Sequence, residues 1–126
     1  MNEINIFDLD ANFIKLVLSE YFYKFGKVEI TIKANNYNVT GILWIVRGEL
    51  LSFCSDLEKM YDQMKGNAIL RDSEEALLLE FSLDKRGLVI IEGRYKENAH
   101  RDIELIFEMK TTQPQIAELI KELKQV

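Results

Sequence analysis

Histidines, cysteines and paired acids are where chemistry first shows in a sequence, and this chain has few of them. It holds one histidine, His100, and one cysteine, Cys54. Asp102 follows His100 by two residues, so an imidazole beside a carboxylate is available for base catalysis. Cys54 stands far earlier in the chain. A thiolate and an imidazole act together only where the fold joins them; otherwise Cys54 is a buried packing residue and His100 a surface one. Carboxylates gather at Asp8/Asp10, Asp72/Glu74/Glu75 and Glu104/Glu108. Acid–base work needs two carboxyls whose surroundings separate their pKa values, which spacing alone does not establish. The Asp72-Ser73-Glu74-Glu75 stretch reads as a solvated turn or a partner contact, and it lacks the spacing of a calcium loop. GxSxG, a glycine-rich phosphate loop and HExxH are all missing. One His and one Cys also fall short of the four ligands of a structural zinc site. The sequence therefore assigns no catalytic residue, no metal ligand and no cofactor.

Composition narrows the class. With 126 residues, a 48% hydrophobic share and a 29% charged share, one globular domain over residues 1–126 is expected, large enough for a core without staples. Sixteen basic and 21 acidic residues give 16 − 21 = −5. That balance argues against broad nucleic-acid binding, which a basic excess drives. A lone cysteine forms no internal bridge. The first ten residues are acidic and lack the basic start of a signal peptide. Apolar runs such as residues 42–46 and 88–91 are far shorter than the ~20 residues of a spanning helix. A cytoplasmic protein without membrane contact is expected.

The elements that must position any site are legible in the hydropathy pattern. Residues 13–22 read as a strand. Residues 27–34 alternate Val28, Ile30, Ile32 and Ala34 against Lys27, Glu29, Thr31 and Lys33, the period of a strand with one wet face. Asn35-Asn36 turns the chain into residues 37–46 as the second arm of a hairpin. Leu50, Leu51, Phe53, Cys54, Leu57, Met60, Tyr61 and Met64 then step by three and four as one stripe, which predicts a helix over about 49–65 that stops at Gly66. Residues 68–70 lead into three strands over 76–83, 88–96 and 101–109. Ile116, Leu119, Ile120 and Leu123 mark a closing helix over about 113–125, with Pro114 in its first turn and Thr112 and Gln113 as cap candidates. The class is α+β: an antiparallel meander of about six to seven strands, able to curl into a partial sandwich, with two helices packed on it. No internal repeat is visible.

One face of the later strands is unusual. Glu80, Glu92, Arg94, Lys96, Glu104 and Glu108 share it with Leu78, Leu88, Ile90 and Ile106. Either the N-terminal strands curl over this mixed face and bury it, or it stays open and docks a protein. Tyr37 and Trp44 are available to such a patch, although Trp44 within an apolar strand reads as core.

From Gly41 to Val126, about two-thirds of the chain, an ordered pattern emerges. Gly41 precedes a strand; Glu49-Leu50 and Phe53 open the helix, followed by Leu57, Met60-Tyr61 and Met64-Lys65-Gly66. Asn67-Ala68-Ile69-Leu70, Glu74 or Glu75, residues 77–81, 84–87, 89–93 and 103–109 and the last helix complete it. This pattern resembles the WapI-like family of bacterial immunity proteins, cognate inhibitors of secreted or contact-delivered polymorphic toxins. The family often opens its last helix with Asp-Gln-Thr; here Thr112-Gln113-Pro114 keeps only the Gln. The resemblance implies a non-enzymatic protein that binds one toxin domain one-to-one in the cytoplasm. Many such toxins are nucleases with cationic, phosphate-holding sites, which an acidic inhibitor is suited to meet. The resemblance supplies no binding residues. Charge selects the expected toxin contacts: Asp72, Glu74 and Glu75 from the loop, and Glu80, Glu92, Glu104 and Glu108 from the sheet. Two other readings compete. One is a small-ligand or regulatory domain with a pocket lined by Trp44, Tyr61 and Tyr95; the other is an enzyme built on His100.

Overall fold

The computed structural model describes residues 2–97 and 103–126. Four strands come first: β1 (Asn2–Leu9), β2 (Asn12–Leu18), β3 (Phe25–Ala34) and β4 (Tyr37–Val46). Helix α1 (Arg47–Gln63) follows. Four more strands, β5 (Asn67–Arg71), β6 (Leu77–Leu83), β7 (Val89–Tyr95) and β8 (Leu105–Thr111), lead to α2 (Gln113–Leu123). The strands form two antiparallel sheets in chain order, β1-β2-β3-β4 and β5-β6-β7-β8. The α+β class is as expected, with eight strands rather than six or seven. The architecture is one ββββα motif followed by a second, a repeat that the sequence does not display.

The two added strands have physical explanations. In β1 the pairing with β2 shifts between Asn5 and Phe7. This bulge lets the consecutive residues Ile6 and Phe7 both be buried, which breaks the alternation by which strands are recognised. The turn into β2 holds Asp10 and Ala11 at φ 54° and 65°, the twist a tight hairpin requires, without the glycine that would advertise it. The short segment at residues 68–70 is the heart of β5, paired with β6. The expected strand over 13–22 ends at Leu18, because the Phe22 N–H donates to the Ser19 carbonyl at 3.1 Å and turns the chain.

Both sheets turn their apolar faces to one core. Ile14, Leu16, Leu18, Val28, Ile30, Ile32, Leu43 and Ile45 come from the first, and Leu70, Leu77, Leu79, Phe81, Val89 and Ile91 from the second. Helix α1 contributes Leu50, Phe53, Cys54, Leu57 and Met60, and α2 contributes Ile116, Leu119, Ile120 and Leu123. The Phe53 and Phe81 rings meet edge to face at 5.3 Å, the arrangement aromatic quadrupoles prefer. Helix α1 stops earlier than Gly66: Met64 takes the left-handed cap conformation at φ 57°, and Gly66 is left-handed after it. Thr112 stands at the N-cap of α2 but makes no side-chain cap bond. Gln113 instead donates its amide to the Gly87 carbonyl at 3.0 Å, pinning the β6–β7 turn to the start of α2. The expected strand over 101–109 is seen from Leu105 and continues to Thr111, which pairs with Val89; residues 98–102 lie outside the described residues. Among the described residues, no helix is long and apolar enough to cross a membrane.

Candidate functional site

The N-terminal strands do not curl over the mixed face. They pair with one another, and the outer face of β5–β8 stays open, with Ile106 71% exposed. Burying its carboxylates would strip them of water without supplying partners. Strand alternation sends Leu77, Leu79 and Phe81 inward and Leu78 and Glu80 outward, and the register stacks the outward residues into rows. Ile69, Glu80, Glu92 and Glu108 form one row across the four strands. Arg71, Leu78, Arg94 and Ile106 form the next.

The glutamate row is the most pronounced electrostatic feature of this face. Glu80 lies opposite Glu92, and Glu92 lies opposite Glu108. Facing side chains on adjacent strands have Cβ atoms ~4.5–5.5 Å apart, and like charges there repel. Among the described residues only Glu80 of the row is engaged, accepting from the Asn67 amide at 2.9 Å. Glu104 stands apart from the row and pairs with Arg94 Nε at 2.8 Å. A hollow of about 430 Å³ bordered by Glu80, Glu92, Arg94, Ile106 and Glu108 runs along the face.

The loop at residues 72–75 divides its acids. Asp72 is buried, and its carboxylate accepts the Leu77 N–H at 2.9 Å and the Glu74 N–H at 3.4 Å. It organises the loop from within, whereas the sequence reading has it facing solvent or a partner. Glu75 closes the turn at φ 57°. Glu74 and Glu75 are exposed. The Ser73 N–H donates to the Trp44 carbonyl at 2.7 Å, which ties this loop to the end of β4. Of the seven expected contacts, the structure gathers Glu80, Glu92 and Glu108 into one row, sets Glu104 beside Arg94, leaves Glu74 and Glu75 on the loop, and turns Asp72 inward.

Trp44 is outside the core. Leu43 and Ile45 take the inward positions of β4, so alternation places Trp44 outward, 38% exposed, with its ring stacked on Phe25 at 5.8 Å. Ile42 and Val46 flank it on the same face. Phe25 was not singled out in the sequence; its place at the start of an alternating strand was the available signal. Tyr95 is buried, and its hydroxyl occupies the space that a side chain at Gly41 would need. Burial pushes the Tyr95 hydroxyl pKa up, and the charges of Glu97 and Asp72 add to that. Tyr61 is on the exposed part of α1. Trp44, Tyr61 and Tyr95 therefore do not line a common ligand pocket.

The remaining candidate nucleophile is enclosed. Cys54 is buried on α1 with its Sγ 3.9 Å from the Ile120 carbonyl. Burial raises its thiol pKa, and Glu58 raises it further, while Lys124 opposes them. Such a thiol is less nucleophilic at neutral pH, the reverse of an activated cysteine. His100 and Asp102 lie outside the described residues. Among the described residues, no group of three or more His, Cys, Asp and Glu side chains is placed to hold a metal ion.

No curated protein matches the chain. The match to a family is nevertheless long. It runs from Asn5 in the first strand through the last helix, so it takes in β1 to β3, ahead of the sequence pattern that begins at Gly41. The sequence model of the immunity protein WapI-like family covers residues 5–126, nearly the whole chain, and the protein belongs to that family.

Proposed function

We propose that this protein is a non-enzymatic inhibitor that binds a cognate bacterial toxin domain, a nuclease, one-to-one, and blocks its active site or the approach of its substrate. Family membership supports the immunity role. The observation that carries the docking face is the row Glu80–Glu92–Glu108 on an open, partly apolar surface. Nuclease sites concentrate positive charge to hold phosphates. A cationic partner relieves the repulsion within the row, and the long-range field speeds encounter. Leu78 and Ile106 supply apolar contact beside it, while Glu74, Glu75 and Glu104 extend the acidic field. The enclosed Cys54 supports a binding role over nucleophilic chemistry.

The test is co-expression with the neighbouring reading frame, scored for growth rescue and for a stable complex. Reversing Glu74, Glu75, Glu80, Glu92, Glu104 and Glu108 together should slow association, most at low salt. Full protection by that variant would remove the electrostatic mechanism. Absence of any inhibited or co-purifying toxin would remove the function.

A further inference from the structure

Next to the glutamate row the same sheet face changes sign. A cavity of about 200 Å³ opens there, lined by Arg71, Glu75, Leu78, Arg94, Lys96 and Glu104 among others. Arg71 and Arg94 flank Leu78 within one cross-strand row. Lys96 is set one row further on by its N–H bond to the Ala76 carbonyl at 2.8 Å. Arg94 donates its Nε to Glu104 at 2.8 Å, and among the described residues its other guanidinium donors make no side-chain bond. Among the described residues, Arg71 and Lys96 form no ion pair.

The size and charge of this cavity define what it takes. At about 200 Å³ it is below the ~300–1,000 Å³ of pockets for whole small molecules, and suits one side chain. Among the described residues that line it, three cations against two carboxylates leave one net positive charge. That balances a carboxylate, whereas a phosphate dianion would leave one negative charge uncompensated. Arginine also matches a carboxylate in a two-point fork. A free anion would feel the three glutamates one row away, two residues or roughly 7 Å along the strands. An acid presented by a protein avoids that cost if the same partner sets a basic residue over the glutamate row.

We infer that the cavity at Arg71, Arg94 and Lys96 receives an Asp or Glu side chain of the toxin domain, presented roughly 7 Å from the basic residue that meets Glu80, Glu92 and Glu108. This rests on the docking face proposed above and adds a polarity to it: the partner must be basic then acidic, in a fixed order. The alternation selects one orientation of the partner on the sheet, which a uniform acidic patch cannot do.

The experiment measures affinity for the toxin domain of the neighbouring reading frame, using R71E/K96E, the milder R71M/K96M and the face-blocking I106R. Unchanged thermal midpoints verify folding. R71E/K96E should weaken binding by about 30-fold or more, and R71M/K96M by about tenfold. A scan of the toxin's acids to Lys should find one that restores binding to R71E/K96E while weakening binding to the wild type. If I106R loses binding but R71E/K96E stays within about threefold of wild type, the carboxylate pocket is wrong and the docking face stands. If I106R and the glutamate reversals also bind normally, the face itself is wrong and the pocket falls with it. Loss in R71E/K96E that no toxin acid rescues, or saturable binding of inorganic phosphate in the cavity, also overturns the inference.

Discussion

Glu92 is the middle member of the glutamate row, facing Glu80 on one side and Glu108 on the other. Removing its charge removes both close repulsions at once. At about 5 Å in water each is worth about 0.8 kcal/mol by Coulomb's law, before screening. Counter-ions and side-chain freedom reduce this, and measured facing pairs span ~0.2–1 kcal/mol. E92Q should therefore stabilise the free protein by about 0.5–1 kcal/mol at low salt, raising Tm by about 2–5 °C. E92K turns both repulsions into attractions and should give about twice that. Urea denaturation at 20 mM and 1 M salt is the assay. The slope m should not change, because the surface exposed on unfolding is the same. At 1 M salt, where the Debye length is about 3 Å, the gain should shrink to a small remainder. The same substitutions should weaken toxin binding, so stability and protection move in opposite directions. An E92Q variant no more stable than wild type at low salt would refute the reasoning. A gain undiminished at 1 M salt would refute its electrostatic basis.

Three further outcomes follow from the packing and from the titrating groups. A side chain at Gly93 would run into the Phe107 ring across the strands, so G93A should cost about 1–3 kcal/mol by overpacking. Combining it with F107L should return part of that loss in the same denaturation assay. D72A should cost about 1–3 kcal/mol, because two loop N–H groups lose their acceptor; hydrogen exchange should show fraying confined first to residues 72–77. Burial raises the Cys54 and Tyr95 pKa values, and pairing with Glu58 raises that of Lys124. In each case the folded state holds its proton more tightly than the unfolded chain. Stability is thus complete below the unfolded pKa values and falls as pH rises, beginning near the ordinary thiol range of about 8.5 and continuing above 10. Urea midpoints between pH 7 and 11 should decline, and C54A should flatten the first part of the decline.

The alternating strands β3, β6 and β7 and both helix stripes were legible because half-burial writes a period into the sequence, and β4 was legible as the return arm of the Asn35-Asn36 hairpin. Strand β1 was not, since its bulge buries Ile6 and Phe7 in succession. The open sheet face was identifiable as a set of residues, but sequence left open whether another layer covered it. The row Glu80–Glu92–Glu108 needed the cross-strand register, which depends on how the strands are connected and not on the strands alone. Trp44 was misplaced because every residue from Ile42 to Val46 is apolar, so composition gave no inward or outward phase. Asp72 looked like its neighbours Glu74 and Glu75, and only the turn geometry separates an organising acid from exposed ones.

The order of the elements also shapes how the protein is made. Among the described residues the strands of each sheet pair in chain order, so the pairings are local and close at small entropic cost. The core is different. Helix α2 packs on β1 and α1, with Glu122 receiving the Asn5 backbone and side-chain N–H groups at 3.0 and 3.3 Å. Arg47 at the start of α1 also bonds to the carbonyl of Val126, just beyond α2. Helix α2 thus locks against β1, the strand farthest from it in sequence. A growing chain can assemble both meanders early, yet it keeps their apolar faces incompletely covered until α2 arrives, and that interval is its exposure to aggregation.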